Sequence, residues 1–284
     1  MTFWLKSTAM TFARNVLSGR RILVCRPEPR ASELCRELQR SGADARALPM
    51  LAIAPVPETG ALRTAVMNFD QFRHVIVVSP IAAGFLLDYL DQWWPQRPTG
   101  QAWYAVGSGT AGLLEQADIS CLRAEQGHDS ESLLQLPELA RLDNQKVAIV
   151  GGEGGRNLLA EELTQRGGLV SKLALYRRLK PDYAEERLVE ALVDFDPQAL
   201  VVLSGETLNN LLSLGQNVDN RLRLRGLLVP TARVAEQARS AGFTRVAIAS
   251  DLSFAGLEQA LADVFSAGTE PGPLAKRPRP KDIV

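Results

Sequence analysis

Histidine and cysteine are scarce in this chain of 284 residues, which holds two histidines and three cysteines. The cysteines, Cys25, Cys35 and Cys121, cannot all pair with one another, and no Cys-x-x-Cys spacing occurs. We therefore expect reduced thiols and a cytoplasmic protein. With only His74 and His128 available, we expect neither a histidine-rich metal site nor a histidine-relay hydrolase, and we predict no metal ligands.

Long apolar runs and an excess of one charge are also lacking. No stretch of about 18 apolar residues occurs, so no membrane span is predicted. Basic and acidic residues number 32 each, and a net charge of zero argues against a nucleic-acid-binding protein. The length favours two domains. Residues 1–20 are predicted to be an N-terminal extension, and the proline-rich residues 266–284 a disordered tail.

An internal repeat is present, because residues 21–51 align with residues 146–176 at an offset of 125 residues. Six identical pairs share that offset: Glu28 and Glu153, Leu34 and Leu159, Leu38 and Leu163, Gly42 and Gly167, Ser79 and Ser204, and Leu87 and Leu212. A further match, Thr110 with Thr231, needs a short gap, since its offset is 121. Agreement in identity and in hydrophobic pattern indicates a duplicated unit.

Each copy of the repeat predicts the same succession of elements. Apolar runs such as Ile22–Cys25 and Val147–Val150 predict buried strands, and leucines at helical spacing then predict amphipathic helices. Strands that alternate with helices form parallel sheets with helices on both faces. The predicted fold class is therefore α/β, with two repeated lobes and a ligand site between them.

Small and hydroxylated residues follow the predicted strands. Ligands bind at the carboxyl ends of parallel strands, and helix N-termini attract anions, so these turns are candidate sites for carboxylates or phosphates. A structural interpretation stays open, because serine and threonine cap helices and glycine permits tight turns. The candidates are Ser79, Gly107, Ser108, Thr110, Gly152, Ser204 and Thr231.

Charged and aromatic side chains occur beside the same turns. Arg26 and Arg156 follow predicted strands, and guanidinium groups suit carboxylates and phosphates, with a solvated surface as the alternative. Tyr176 ends a predicted strand, Leu173–Tyr176, just before a basic run. Its phenol is either a proton donor to a leaving group or a packing residue, and the residues alone leave both open.

One turn matches a nucleotide-binding pattern. Residues Gly107–Gly112 read Gly-x-Gly-x-x-Gly, and Glu125 lies 18 residues after Gly107, beyond a plausible strand Ile119–Leu122. An NAD-dependent oxidoreductase is therefore a competing hypothesis. The helix that follows is short, and the motif is not in the first βαβ unit of its lobe, which counts against NAD binding. Neither a P-loop pattern nor a Gly-x-Ser-x-Gly elbow occurs.

The order and spacing of several motifs over residues 21–265 resemble the uroporphyrinogen-III synthase family. The motifs are VCRPEP, VVSPIAAGFLL, AVGSGTA, VAIVGGEGGRNLLAEELTQRGGLVSKLALYRR, VVLSGETLNNLL and VPTARVAEQARSAGF. The resemblance implies two α/β lobes joined by a two-stranded linker, with the active cleft between the lobes. It places the linker strands at 48–56 and 173–180, one lobe at 56–172, and the other at 21–47 together with 181–265.

The resemblance also implies a reaction. The family closes the linear hydroxymethylbilane to uroporphyrinogen III, with loss of water and inversion of ring D through a spiro intermediate, and uses no cofactor. By resemblance, Tyr176 assists loss of the hydroxyl group. The residues implied to bind the substrate carboxylates are Arg26, Ser79, Gly107, Ser108, Thr110, Gly152, Arg156, Ser204 and Thr231. A monomer that receives its substrate from hydroxymethylbilane synthase is expected. A two-lobed binding protein for an anionic small molecule is the alternative.

Overall fold

The computed structural model describes residues 16–124, 127 and 129–266. These residues divide into two units, which are called the first and second units below. The first unit comprises the described residues up to Ala52 and those from Leu179 onwards, and the second unit comprises Ile53–Arg178. The two chain crossings fall inside the ranges predicted as linker strands, 48–56 and 173–180.

The predicted terminal segments lie mostly outside the described residues. Residues 1–15 and 267–284 are not described. The last residues of the predicted extension, 16–20, belong to the fold of the first unit, since Leu17 is fully buried in its core and the Arg20 guanidinium lies over the ring of Phe265. An apolar side chain at position 17 explains this difference from the predicted boundary, because burying it removes apolar surface from water.

Among the described residues, ten strands form the two sheets. They are β1 (Arg21–Val24), β2 (Asp44–Ala47), β3 (Ala52–Pro55), β4 (His74–Val77), β5 (Ala102–Ala105), β6 (Lys146–Gly152), β7 (Leu169–Leu179), β8 (Ala199–Val201), β9 (Gly226–Val229) and β10 (Val246–Ile248).

Helices connect the strands. They are α1 (Arg30–Arg40), α2 (Gly60–Met67), α3 (Pro80–Trp93), α4 (Ser108–Gln116), α5 (Ser130–Leu133), α6 (Leu158–Gln165), α7 (Glu185–Val189), α8 (Gly205–Gly215), α9 (Ala232–Ser240) and α10 (Phe254–Ser266). A π-helical turn, Glu190–Asp194, continues α7, and short 3₁₀ turns occupy Phe69–Gln71, Pro137–Leu139 and Leu222–Leu224.

The sheet of the first unit has the strand order β10-β9-β8-β1-β2, and each neighbouring pair of strands is parallel. Side chains alternate between its two faces, as strand geometry requires. Leu23 and Leu200 pack into one buried cluster, and Ile22 and Val201 pack into another. The sheet is therefore covered on both sides, which is why its central strands read as continuous apolar runs.

The sheet of the second unit has the strand order β3-β7-β6-β4-β5, with parallel pairing of β7 to β6, β6 to β4 and β4 to β5. Val75 and Val150 contribute to one buried cluster, and Ile76 and Ile149 contribute to another. Both predicted linker strands belong to this sheet. The first is only four residues long, and the second is the end of an 11-residue strand.

The structure confirms the internal repeat. In the first unit the strand order β2-β1-β8-β9 corresponds, element for element, to β7-β6-β4-β5 in the second unit. Strands β1 and β6 begin 125 residues apart, as do β8 and β4. The predicted strand Ile119–Leu122, which would correspond to β10, forms only a single parallel bridge, between Tyr104 and Leu122.

One pairing within the repeat needs correction. Strands β9 and β5 begin 124 residues apart, so the shift in the second half of the repeat is one residue. Thr231 caps α9, whereas Thr110 is the third residue of α4, whose N-cap is Gly107. The residue that corresponds to Thr231 is therefore Gly107 and not Thr110. The sequence comparison paired the two threonines because they are identical. The positions of the strands, which set the true correspondence, do not pair them.

The two units differ in the polar groups buried near their strand N-termini. In the first unit Arg225 is buried, and it forms ion pairs with Asp219 at 2.9 Å and with Asp196. Arg21 adds a third ion pair, to Asp196 at 3.1 Å. Hydrogen bonds from Arg225 to the carbonyl oxygens of Pro197 and Leu192 satisfy its remaining donors. This cluster ties together the segments that enter the sheet.

In the second unit a buried polar side chain, His74, begins β4, with Nε2 2.5 Å from Gln145 Oε1 and Nδ1 2.9 Å from the Tyr104 hydroxyl. Both ring nitrogens are therefore hydrogen-bonded within this unit. Burial raises the pKa of Tyr104 to about 12, with a further contribution from Glu138, so its phenol stays protonated.

Candidate functional site

The predicted site residues lie at the carboxyl end of each sheet. In the second unit six of them follow or end β4, β5 and β6: Ser79, Gly107, Ser108, Thr110, Gly152 and Arg156. Tyr176 lies within β7, which continues to Leu179, so the predicted strand end at Tyr176 is wrong. In the first unit they follow β1, β8 and β9: Arg26, Ser204 and Thr231. This placement is where parallel α/β sheets bind ligands.

Tyr176 is the centre of the best-defined group in the second unit. Its side chain is 5% exposed, and its hydroxyl oxygen lies 3.1 Å from Ser79 Oγ. The ring of Phe85 stacks on the ring of Tyr176, with centroids 5.9 Å apart and an interplanar angle of 13°. Tyr176 therefore has its ring packed in the apolar core and its hydroxyl in a polar contact, the arrangement expected of a buried tyrosine.

Ser79 has two functions at this position. It is the N-cap of α3, and its Oγ accepts the backbone N–H of Ala82 at 3.1 Å. A serine that accepts in this way keeps its own proton, which can be donated to the Tyr176 oxygen. The Tyr176 proton is then available to a third group. The capping interpretation and the functional one are thus compatible in Ser79.

Gly152 lies directly opposite Tyr176 in the pairing of β6 with β7. A Cβ at Gly152 would be 2.7 Å from both Cε2 and Cζ of the Tyr176 ring. The Glu153 backbone N–H donates to the Tyr176 carbonyl oxygen at 2.8 Å and continues the pairing. The absence of a side chain at Gly152 therefore provides the space that the phenol ring occupies.

Gly107 and Ser108 form the start of α4. Gly107 is the N-cap with φ of +80°, a conformation that favours glycine, and Ser108 is exposed. The first backbone N–H groups of this nine-residue helix face the carboxyl end of the sheet.

Thr110 differs from the expectation, because it is buried and its hydroxyl donates to the Val106 carbonyl oxygen at 2.9 Å. Its proton is therefore used in a bond to the residue before the helix cap, four positions earlier, as threonine hydroxyls in helices commonly are. Glu125, the acidic residue of the nucleotide-binding pattern, lies outside the described residues.

Arg156 is exposed and already has an acidic partner. Its Nη1 lies 2.7 Å from Glu131 Oε1, with both side chains more than half exposed. The neighbouring Asp129 accepts hydrogen bonds from Ser132, which lower the pKa of that carboxyl, and Arg156 adds to the effect. An incoming carboxylate therefore competes with Glu131 for Arg156, in a solvent-exposed pair of small energy.

Arg26 contrasts with Arg156. It is half-buried, and within the described part of the chain its guanidinium has neither a hydrogen bond nor an ion pair. Burial lowers its pKa below the ordinary value, Arg30 contributes further, and the charges of Glu33 and Glu37 oppose the shift. A partly desolvated guanidinium that forms no direct ion pair is a suitable site for a carboxylate.

The two hydroxyl residues of the first unit are helix caps. Ser204 Oγ accepts the Thr207 N–H at 3.1 Å and also lies 2.8 Å from the Thr207 hydroxyl. Thr231 Oγ1 accepts the Val234 N–H at 3.4 Å. Both side chains are therefore engaged by their own helices.

The structure brings Tyr176, Ser79 and Gly152 into contact and adds Phe85, which the sequence analysis did not select. Phe85 lies on α3, the helix that Ser79 caps, and this position could have pointed to it. An aromatic residue in an apolar helix is, however, ordinarily interpreted as a core residue. In the described residues no three His, Cys, Asp or Glu side chains are grouped so as to hold a metal ion. No helix among them is long and apolar enough to span a membrane.

These features define a protein of two repeated α/β units, with hydroxyl groups, glycine turns and arginines after the strands and the buried phenol of Tyr176 within β7. The family model for uroporphyrinogen-III synthase HemD matches residues 32–259. Uroporphyrinogen-III synthase of Salmonella typhimurium is 31% identical over 244 residues, covering 84% of this chain and 99% of that protein. The Escherichia coli K12 enzyme is 30% identical over 246 residues, with the same coverage of 84% and 99%. The chain therefore belongs to the uroporphyrinogen-III synthase family.

Solved structures agree in fold. A mutant uroporphyrinogen III synthase of Thermus thermophilus matches with a TM-score of 0.60 at 19% identity, covering 88% of this chain and 100% of that one. The Helicobacter pylori uroporphyrinogen-III synthetase matches with a TM-score of 0.55 at 14% identity, covering 86% and 99%. The predicted α/β fold class with parallel sheets is thereby confirmed.

Proposed function

We propose that this chain catalyses the uroporphyrinogen-III synthase reaction, the closure of hydroxymethylbilane to uroporphyrinogen III with inversion of ring D. Family membership supports the activity. The observation that carries the chemistry is the buried Tyr176, whose hydroxyl lies 3.1 Å from Ser79 at the carboxyl end of the second sheet. In this proposal the protein is a lyase of tetrapyrrole biosynthesis.

Tyr176 is the proton donor in this scheme. Its O–H proton moves to the hydroxymethyl oxygen of the substrate as the carbon–oxygen bond breaks, and water leaves. The remaining methylene carbon becomes part of an azafulvene cation, which ring D attacks through its substituted carbon to form the spiro intermediate. The bond from that carbon to the methylene of ring C then breaks, which gives an azafulvene cation at ring C, and this cation bonds to the free carbon of ring D. Ser79 donates its proton in a hydrogen bond to the tyrosinate oxygen. The proton released when ring D finally closes at its free carbon returns to Tyr176, so water is the only by-product.

Substrate carboxylates are bound by two kinds of group. Backbone N–H groups at the start of α4, together with Ser108, offer a neutral site with a favourable helix dipole. Arg26 and Arg156 offer charge, and Arg26 binds more strongly because, unlike Arg156, it forms no direct ion pair with a described residue. Thr110 contributes through its backbone, since its hydroxyl donates to Val106.

The proposal extends to the organisation of the enzyme. It acts in the cytoplasm as a monomer and receives its unstable substrate from hydroxymethylbilane synthase. The three free thiols, Cys25, Cys35 and Cys121, support the reducing compartment. Light scattering during gel filtration tests the monomer. To test a direct hand-over, the yield of isomer III is compared in two experiments. If the substrate is handed over, the yield with both enzymes present together should exceed the yield when hydroxymethylbilane is first released into solution and then added to this protein.

The activity is tested by a coupled assay. Porphobilinogen and its deaminase generate hydroxymethylbilane in the presence or absence of this protein, and the oxidised products are separated as uroporphyrin isomers I and III. We expect isomer III in proportion to added protein, whereas the spontaneous reaction gives isomer I. Isomer I alone, from protein shown to be folded, rejects the enzyme and favours the binding protein for an anionic small molecule.

A further inference from the structure

The strand that carries Tyr176 is irregular at this residue. Gly151 pairs with Ala174 but Gly152 pairs with Tyr176, so Leu175 is an extra residue on β7. In a regular strand Leu175 and Tyr176 would point to opposite faces of the sheet. Here both pack into the same buried cluster. The bulge therefore turns the phenol toward the face that holds α3, and bulges of this kind often redirect a side chain at a functional site.

Two further contacts restrict the ring once the bulge has turned it. Gly152 leaves free the space in which a Cβ would lie 2.7 Å from the ring, and Phe85 stacks on the ring at a centroid distance of 5.9 Å. Phe85 and the cap Ser79 belong to the same helix, so α3 sets both the plane of the ring and the position of the hydroxyl partner. A buried tyrosine held in this way has few other rotamers available.

We infer that Gly152 and Phe85 are positioning residues that aim the Tyr176 hydroxyl, so that Gly152 acts through the ring rather than by binding a substrate carboxylate. The inference rests on the proposed function of Tyr176 as the proton donor. Proton transfer depends steeply on distance and direction, so a small rotation of the ring lowers turnover while leaving substrate binding largely intact.

Gly155 supplies a matched control for Gly152. It lies in the same turn, but a Cβ there would meet only the Gly152 carbonyl oxygen, at 3.8 Å. Alanine at Gly155 therefore fits without displacing a neighbour. Any effect of G152A that G155A does not share is due to the lost space beside Tyr176.

The first experiment measures kinetics. We expect G152A to lower kcat about fivefold and F85L about threefold, with KM within about twofold of wild type. F85Y retains a ring and should restore most of the kcat. In a Y176F background, G152A and F85L should have little further effect, because their target is gone. Equal losses of kcat with and without the Tyr176 hydroxyl would overturn the inference.

The second experiment observes the ring directly and does not depend on catalysis. The chain has four tyrosines, so incorporation of 3-fluorotyrosine gives four ¹⁹F signals, of which Y176F identifies one. That signal should shift in G152A and F85L but not in G155A. An unshifted signal contradicts the positioning function even if kcat falls.

Failure of wild type to form isomer III would reject the proposed activity, whereas the ¹⁹F result would still decide whether Gly152 and Phe85 hold the ring. If G152A does not fold, F85L and F85Y carry both tests.

Discussion

The two units share one strand order but differ in the residues at corresponding strand ends. After β1 of the first unit stands Arg26, and the corresponding residue in the second unit is Gly151. Where the second unit has Tyr176, the first has Leu51, which is also buried. A duplicated scaffold thus carries a guanidinium after β1 in one unit and a phenol within β7 in the other. The scaffold defines the position of a group, and the chemistry of that group is set residue by residue.

The serine caps show the same divergence in detail. Ser79 and Ser204 occupy corresponding positions and accept the same kind of backbone N–H. In the first unit the third residue of the helix is Thr207, whose hydroxyl bonds to Ser204 at 2.8 Å. The corresponding residue in the second unit is Ala82, which has no hydroxyl, so Ser79 bonds instead to Tyr176. One missing hydroxyl thereby leaves the cap of the second unit available for the phenol.

The largest expected effect concerns the ionic cluster of the first unit, which has no counterpart among the described residues of the second unit. R225M should lower the free energy of unfolding by about 3 to 5 kcal/mol, because it leaves Asp219 buried without its partner. Urea denaturation measures the change. R141M is the control, since it removes an exposed pair with Asp143 and should cost under about 1 kcal/mol. Equal losses in both variants would contradict a buried cluster that stabilises the unit.

The next effect tests the phenol that distinguishes the second unit. Y176F should lower kcat about tenfold to 100-fold, equivalent to about 1.4 to 2.7 kcal/mol, while the fold is retained. The coupled isomer assay gives kcat, and thermal unfolding checks the fold. A water molecule can replace part of the proton transfer, which limits the loss. Turnover equal to wild type would remove Tyr176 as the proton donor.

Alkaline pH should also distinguish the units, through Cys25. Burial raises the pKa of this thiol to about 12 from an ordinary value near 9, with Cys35 as a second cause. Above pH 9 the unfolded chain releases this proton and the folded chain does not, so stability falls as pH rises toward 12. The expected loss from this group at pH 10 is about 1.4 kcal/mol.

Val150 occupies the corresponding position in the second unit, so C25V makes the units alike there. The difference in unfolding free energy between pH 8 and pH 10 should be smaller in C25V than in wild type by the contribution of one thiol. Comparing the two pH values within each variant cancels the packing change of the substitution. An identical pH dependence would show that Cys25 does not titrate as its burial requires.

A smaller effect separates the two arginines. R26A should raise KM about tenfold and R156A about threefold, because Arg156 must leave Glu131 to bind a substrate carboxylate. Initial rates over a range of hydroxymethylbilane concentrations give both values. E131Q releases Arg156 and should lower KM slightly. An unchanged KM in either alanine variant would remove that arginine from the binding site.

The smallest effect compares the two serine caps. S79A and S204A should each lower the free energy of unfolding by about 1 kcal/mol, the usual cost of a lost helix cap. The fall in kcat should be larger in S79A, because only that variant also loses the hydrogen bond to Tyr176. Chemical denaturation and the isomer assay supply the two measurements. A larger fall of kcat in S204A than in S79A would contradict the assignment of Ser79 as the hydrogen-bond partner of Tyr176.

Much of the fold followed from the sequence. The repeat, the α/β class and the position of Tyr176 in a strand were predicted, since apolar periodicity and turn residues are local signals. The equivalence of Thr110 and Thr231 was wrong, because strand register is set by pairing and not by isolated identities. Most candidate residues follow strands, as expected, but Tyr176 lies within β7 and not at its end, and the hydrogen-bond partners of the candidates were not foreseen.

Strand and helix signals alternate along the chain, so the amino-acid sequence is enough to show which residues follow the strands. The contacts of each residue depend on tertiary packing. A bulge at Leu175 turns Tyr176 toward Phe85 and Ser79. Gly152, opposite Tyr176 on the neighbouring strand, has no side chain and so leaves space for the ring. The three elements that carry these residues are far apart in sequence, and their meeting depends on strand register and helix packing. Such long-range geometry leaves no local pattern in the chain.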